Sequence, residues 1–251
     1  DVLLNAINFI YKDSKMKKIN TILAAVGALL MLTVTSANSM EFKAGVSANG
    51  MAAYANAKET LKDSGAVTNE EAVLATSFAS AFVELSSDAA MGLGIGISYA
   101  PEVVDLEKET RAIQRCADHI STSCTSYATG DSGNQVIDGK IEDLVSIYLT
   151  LPVGDTGAYV KAGYMQATLN TTENLATGSK YANVDLTGTQ VGGGYEGELG
   201  DAAFWRAEGT MQMWEDISAS GSEAGATSGA KNKIDAELGS ITGTLSVGMK
   251  F

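Results

Sequence analysis

The C-terminal end of the chain alternates, residue by residue, between apolar or small side chains and mostly polar ones. The first set is Ile241, Gly243, Leu245, Val247, Met249 and Phe251, and the second is Thr242, Thr244, Ser246, Gly248 and Lys250. Successive side chains of a β-strand point to opposite faces. The pattern therefore predicts a strand with one face suited to hydrocarbon and the other suited to water.

The same alternation recurs upstream in segments of roughly ten residues or more. It predicts seven further strands, which with 234–251 make eight, at about 42–56, 76–86, 90–100, 141–153, 157–170, 184–199 and 202–217. The connections alternate between short ones at 86–90, 154–156 and 200–201 and long ones at 57–75, 101–140, 171–183 and 218–233. Bacterial outer-membrane barrels alternate short periplasmic turns with long extracellular loops in this way.

The alternating strands fit a membrane barrel better than a soluble sheet. In lipid, unpaired backbone groups cannot be hydrated, so a spanning sheet must close on itself. Aromatic residues fall near both ends of the predicted strands, as expected for two interfacial belts; they are Phe42, Trp205 and Phe251 at one end and Tyr54 and Tyr99 at the other. The sequence predicts an all-β, up-and-down antiparallel transmembrane barrel of about eight strands, with a soluble periplasmic β-sandwich as the alternative.

The N-terminal part has the three segments of a secretory signal peptide. Met16 is followed by two lysines, residues 21–34 form an apolar run, and Ala37 and Ser39 are the small residues before a cut at Met40. The run is shorter than the about 20 residues that a spanning helix needs, so an uncleaved anchor is the weaker alternative. We expect residues 1–15 to be an over-extended gene start, 16–39 the signal peptide and 40–251 the barrel.

The charge balance of the exported part argues against nucleic acid as a partner. Residues 40–251 carry 13 basic and 28 acidic side chains, a net charge of −15, whereas nucleic-acid affinity comes from neutralising phosphates. The two cysteines, Cys116 and Cys124, predict one local disulfide in an exported chain, with two free thiols as the alternative. With His119 as the single histidine, we expect neither a metal site nor a cofactor.

The leader, the eight alternating segments and the terminal Leu245-x-Val247-x-Met249-x-Phe251 together resemble the small Gram-negative outer-membrane barrels of the OmpA, OmpX and opacity-protein type. The resemblance implies an outer-membrane location after export across the inner membrane. It also implies that Leu245, Val247, Met249 and Phe251 form the signal read by the barrel-assembly machinery, although Met249 stands where an aromatic residue is common. Outer-membrane lipid is then the surrounding medium. A closed ring has no free edge, so we expect a monomer.

Eight charged residues fall on the predicted inward faces, because charges are too costly to face hydrocarbon. They are Lys43, Glu84, Glu142, Lys161, Glu196, Arg206, Glu208 and Lys250. The lumen of an eight-stranded barrel is only wide enough for side chains or one small ligand. We expect Arg206 to pair with one or more of the four glutamates and to close the lumen; a charged constriction for small solutes and a catalytic dyad are the alternatives.

The segment 101–140 is the longest predicted connection. Apolar and charged residues mix from Val103 to Arg115, which predicts a short surface helix ending near Cys116. No constellation of catalytic residues stands out. Three functions remain: a structural or surface-interaction protein, a narrow passive channel, and, least favoured, a lipid-modifying enzyme.

Overall fold

The computed structural model describes residues 40–60, 65, 67–87, 91–116, 120–121, 127–174, 180–224 and 231–251. These residues form only strands and connections: β1 Met40–Thr60, β2 Val67–Ser87, β3 Leu93–Cys116, β4 Ile120–Ser121, β5 Tyr127–Pro152, β6 Ala158–Asn174, β7 Val184–Glu198, β8 Ala203–Trp214, β9 Ile217–Ala224 and β10 Lys231–Lys250. Among them, no helix has the length and apolar character to cross a bilayer. The predicted leader and gene-start extension lie outside the described residues.

Eight of the strands close into a ring. Each pairs antiparallel with the next in the order β1, β2, β3, β5, β6, β7, β8, β10, and β10 returns to pair with β1 from Lys43↔Lys250 to Thr60↔Lys233. At the rim, the Phe251 N–H donates to the Phe42 carbonyl at 2.8 Å. The predicted fold class, a closed up-and-down antiparallel barrel of eight strands, is confirmed.

The outer surface of the ring is apolar. Val46, Ile147 and Leu245 point outward and are 59%, 48% and 67% exposed. A soluble protein more often buries side chains of this kind. Apolar side chains exposed in this pattern all round a closed sheet form a surface for lipid hydrocarbon.

Several strands run further than the alternation predicts. β3 and β5 stay paired as far as Cys116↔Tyr127, so most of the predicted 101–140 loop is a two-stranded ribbon. The helix predicted between Val103 and Arg115 is therefore wrong. Its helix-favouring residues are held extended because β5 offers a backbone partner along most of this length, with register shifts, which outweighs weak helix propensity.

The turns at one rim are short, as predicted, and use left-handed glycines; we call it the periplasmic rim, as the sequence predicts. Gly154 and Gly157 have φ of 63° and 83° in the β5–β6 turn, and the Val153 N–H donates to the Ala158 carbonyl at 2.8 Å. Residues with a Cβ rarely adopt this backbone conformation, so glycine suits the turn.

Gly96, on the inner face of β3, leaves room for Tyr148 of β5. A methyl group at residue 96 would overlap the phenol ring of Tyr148, which is 2% exposed and cannot swing into solvent. We expect Gly96→Ala to lower the free energy of unfolding by about 1–3 kcal/mol through overpacking, measured by urea titration in lipid vesicles. Gly50→Ala is the matched control, because nothing lies within 4 Å of a Cβ there. Equal losses in both variants would contradict the packing argument.

Candidate functional site in the barrel lumen

Arg206 of β8 is the centre of a charged cluster in the lumen. Its Nη1 and Nη2 donate to the two carboxylate oxygens of Glu84, on β2, at 2.8 and 2.6 Å. Its Nε donates to Glu196 of β7 at 2.7 Å. The side chains of Arg206 and Glu84 are only 4% and 2% exposed, so this is a buried bidentate ion pair.

Lysines extend the cluster towards the periplasmic rim. The Nζ of Lys43 donates to both oxygens of Glu196 at 2.9 and 3.1 Å and lies 3.1 Å from Glu41. Lys250 lies 3.4 Å from the same Glu196 carboxylate. Glu196 of β7 thus joins three cations from β8, β10 and β1, the three strands that follow β7 around the ring.

A second ion pair lies beside the first. Lys161 of β6 donates to Glu208 of β8 at 3.0 Å, with side chains 10% and 6% exposed. The Lys161 ammonium also lies 4.1 Å from the centroid of the Tyr148 ring, a distance suited to a cation–π contact. Both charges are therefore neutralised within the lumen.

Three aromatic rings enclose the Arg206 guanidinium. Its carbon lies 5.3 Å from the ring centre of Phe82, 5.1 Å from Phe204 and 5.5 Å from Tyr159. Phe82 and Phe204 also meet edge to face, with their centroids 6.2 Å apart. The rings fill the space that the ion pairs leave. We call the six charged residues and the three aromatic residues together the charged layer; they are Lys43, Glu84, Lys161, Glu196, Arg206, Glu208, Phe82, Phe204 and Tyr159.

Beyond the charged layer, the lumen is lined mainly by neutral polar side chains. Gln212 exchanges hydrogen bonds with Ser240 and Thr242 at 2.8 Å each, and Gln190 donates to Ser146 at 3.0 Å. A cavity of about 60 Å³ lies among these side chains, with charged-layer groups also in its wall. That volume suits about four water molecules.

The lumen becomes apolar above this polar section. Met51, Ala100 and Val103 are buried together, and Ala167, Leu186 and Ile217 form a second group; Ile141 and Leu144 pack against both. This apolar layer encloses a cavity of about 50 Å³. The sequence interpretation missed it because it followed only charges, although the inward positions of β1 turn apolar from Met51 onward.

The structure brings seven of the eight predicted lumen charges together in or beside the charged layer and places Glu142 elsewhere. Glu142 accepts a hydrogen bond from Asn170 at the extracellular side, next to Asp143 with φ of 58°. A register shift between Glu142 and Val145 breaks the alternation there. A prediction that follows the strict alternation of residues along the sequence does not detect such a β-bulge.

The remaining predicted sites divide between the described and undescribed parts. Leu245, Val247, Met249 and Phe251 all point outward on or at the end of β10 and are exposed. Cys116 lies on β3, whereas Cys124 and His119 lie outside the described residues, and so does the predicted disulfide. Within the described part, no three histidine, cysteine or carboxylate side chains are grouped to hold a metal ion.

Comparisons with known proteins find likeness in structure alone. No protein-family profile matches the chain, and no curated protein matches it by sequence. The outer membrane protein OprG from Pseudomonas aeruginosa is 14% identical, with a TM-score of 0.44 over 85% of this chain and 96% of that one. The outer membrane protease OmpT from Escherichia coli is 11% identical, with a TM-score of 0.42 over 84% and 97%. Ail, the attachment invasion locus protein of Yersinia pestis, is 11% identical, with a TM-score of 0.34 over 82% and 99%.

The closed ring, the apolar exterior and the short turns at one rim are features of this chain's own structure. Together they make the chain an eight-stranded β-barrel of the bacterial outer-membrane type.

Proposed function

We propose that the protein is a closed outer-membrane barrel that holds extended β-strands at the cell surface and does not conduct solutes. The observation that carries the proposal is the double filling of the lumen, with the charged layer near the periplasmic rim and the apolar layer above it. A solute would have to displace both layers to pass.

Each layer resists passage for a different physical reason. Opening the charged layer separates Arg206 from Glu84 in a site with little water, and breaking a buried pair costs about 3–5 kcal/mol. That cost alone reduces an open population by about a hundredfold or more. Ions entering the apolar layer would lose hydration without gaining polar partners. The barrel is therefore expected to act as a rigid anchor.

The surface role is supported by the length of the strands outside the membrane. From Ala100 to Cys116, β3 continues for about 50 Å of extended chain, and β5 runs back alongside it. Long elements projecting from a rigid scaffold are where binding residues tend to lie. This ribbon is the part of the described chain best placed to meet another molecule.

A catalytic role receives no support from the lumen geometry. The carboxylates Glu84, Glu196 and Glu208 are each held by a cation at 3.0 Å or less. Carboxylates that are fully engaged in ion pairs are poor general bases, because their partners stabilise the ionised form.

Cysteine labelling on intact cells tests the surface display. In a chain with Cys116 and Cys124 replaced by serine, Val67→Cys places a thiol where β2 begins, at a position 51% exposed. Thr156→Cys, in the exposed β5–β6 turn, is the matched control at the opposite rim. We expect a membrane-impermeant maleimide to label residue 67 on intact cells and residue 156 only after the outer membrane is permeabilised. The reverse pattern would contradict the proposal.

A further inference from the structure

The ladder between β2 and β3 is the shortest in the ring. It joins Ala81–Ser87 to Leu93–Tyr99 and then ends, whereas on its other side β2 stays paired with β1 as far as Thr60↔Val67. β3 likewise stays paired with β5 beyond this point. We call the interval where β2 and β3 run on without a common ladder the seam.

The lower part of the seam faces lipid. On β2, the outward residues beside it are Ala79, Ser77, Ala75 and Val73, of which only Ser77 is polar, and Val73 is 85% exposed. Val73 pairs with Tyr54, an outward tyrosine of the kind that marks the edge of a hydrocarbon belt. The apolar exterior therefore continues past the last β2–β3 pair, and the ladder opens within the outer leaflet.

A side-chain hydrogen bond crosses the seam where the ladder stops. Thr76 of β2 donates its hydroxyl to the Val103 carbonyl of β3 at 3.1 Å. Beside it, Asn49 of β1 donates to the Phe78 carbonyl of β2 at 3.2 Å, a contact that does not cross the seam. Pro101 has no N–H to offer a neighbouring strand, and the β3–β5 register shifts between Glu102 and Val104. Among the described residues, the side-chain hydrogen bond between Thr76 and Val103 thus joins β2 to β3 across the seam in place of a continuous ladder.

An apolar space in the lumen reaches the seam at Val103. The cavity of about 50 Å³ is lined by Met51, Ala53, Val103, Leu238 and Trp214, among others, and its wall is almost wholly apolar. Val103 belongs to both features, because its carbonyl accepts the seam hydrogen bond and its side chain lines the cavity. Moving Val103 would join the cavity to the lipid.

We propose that the seam is a lateral entrance through which a small uncharged apolar molecule dissolved in the outer leaflet reaches a binding site in the apolar layer. A dry cavity of about 150 Å³ holds benzene, so the space of 50 Å³ takes such a ligand only when Val103 and its apolar neighbours move apart and enlarge it about threefold. The charged layer below closes the site on the periplasmic side. The inference concerns binding and does not depend on whether the lumen conducts.

Trp214 provides a reporter, because it lines the cavity and Trp205, the other tryptophan of the chain, faces outward. In Trp205→Phe protein in phosphatidylcholine nanodiscs, 1-bromobutane is the probe, since a bromoalkane quenches tryptophan on contact. We expect saturable quenching of Trp214. Two features of the Trp214 quenching would together overturn the proposal. It would rise linearly with the concentration of 1-bromobutane, and it would be no stronger than the quenching of a tryptophan buried behind an intact β-ladder.

Two variants are expected to change the occupancy of the cavity by 1-bromobutane in opposite directions. Misfolding would lower the occupancy in both, so the pair distinguishes a change in binding from misfolding. Ala53→Leu fills the cavity and should remove at least half of the saturable quenching, whereas Leu238→Ala enlarges it and should increase the apparent affinity about tenfold. Ala52→Leu adds the same bulk to the neighbouring lipid-facing position and should change neither. If Ala52→Leu and Ala53→Leu behave alike, the apolar layer is not the binding site.

The route is tested by the rate of quenching after rapid mixing. Thr76→Val removes the hydroxyl that joins the two strands, and loss of one hydrogen bond should speed the onset by about fivefold. Ser246→Ala removes the hydrogen bond between Ser246 of β10 and Ser47 of β1, which lies away from the seam, and should leave the onset unchanged. An onset unaffected by Thr76→Val would rule out the seam as the entrance.

Discussion

Replacing Arg206 with alanine is expected to lower the free energy of unfolding of the barrel by about 3–5 kcal/mol. The variant leaves Glu84 with its side chain 2% exposed, without the two charge-assisted hydrogen bonds that the guanidinium supplies. It also empties the space between Phe82 and Phe204. Urea unfolding of the protein in lipid vesicles, followed by tryptophan fluorescence, measures the loss.

Two controls separate the buried charge from general damage to the lumen. The double variant Arg206→Met with Glu84→Met should lose less stability than Arg206→Ala, because neither charge is then left unpaired. Lys140→Ala removes a cation from the exposed pair with Asp105, 2.8 Å apart, and should cost less than about 1 kcal/mol. If Arg206→Ala costs no more than Lys140→Ala, the charged layer does not hold the barrel closed.

Replacing Ile147 with arginine is the second change with a large expected effect. Ile147 points outward from the part of β5 that follows the ribbon, where it pairs with Ile97 and Tyr164 inside the ring. An arginine facing lipid near the bilayer midplane destabilises a barrel by about 2–4 kcal/mol, and one near the interface by about 0–1. Val153→Arg, at an exposed position one residue beyond the end of the same strand, is therefore the matched control. The difference is measured by equilibrium unfolding in vesicles.

The contrast between these two positions also tests the membrane assignment. In a water-soluble barrel, an arginine at the exposed residue 147 would be hydrated and would cost little. A loss of stability at residue 147 equal to that at residue 153 would therefore contradict a lipid-facing exterior.

The membrane part of the fold could be predicted from sequence because lipid and lumen impose opposite demands on alternate residues. β10 is the clearest case, with Leu245 and Val247 outward and Ser246 buried between them. Outside the membrane both faces of a strand can meet water, and the alternation fades. Residues 67–73 of β2 are exposed on both faces, so the sequence pattern placed the start of that strand about nine residues too late.

The sequence could predict which charged residues belong to the candidate site, but not which cation contacts which carboxylate. Alternation placed Arg206 and Glu84 on inward faces, yet these residues are 122 positions apart and meet across the lumen. Which carboxylate faces the arginine depends on the tilt and stagger of the whole ring, which no local pattern encodes. The seam could not be predicted for a related reason. The end of a ladder depends on how two strands pair with each other, which the sequence pattern of either strand alone does not encode.

Single-channel recording in planar lipid bilayers tests the closed lumen most directly. With the purified wild-type barrel, we expect no stable openings. Arg206→Ala, where it inserts, leaves the apolar layer in place and should also stay without long-lived openings. Stable, ohmic openings of the wild type would contradict the account, because they would require water-filled passage through both the charged layer and the apolar layer.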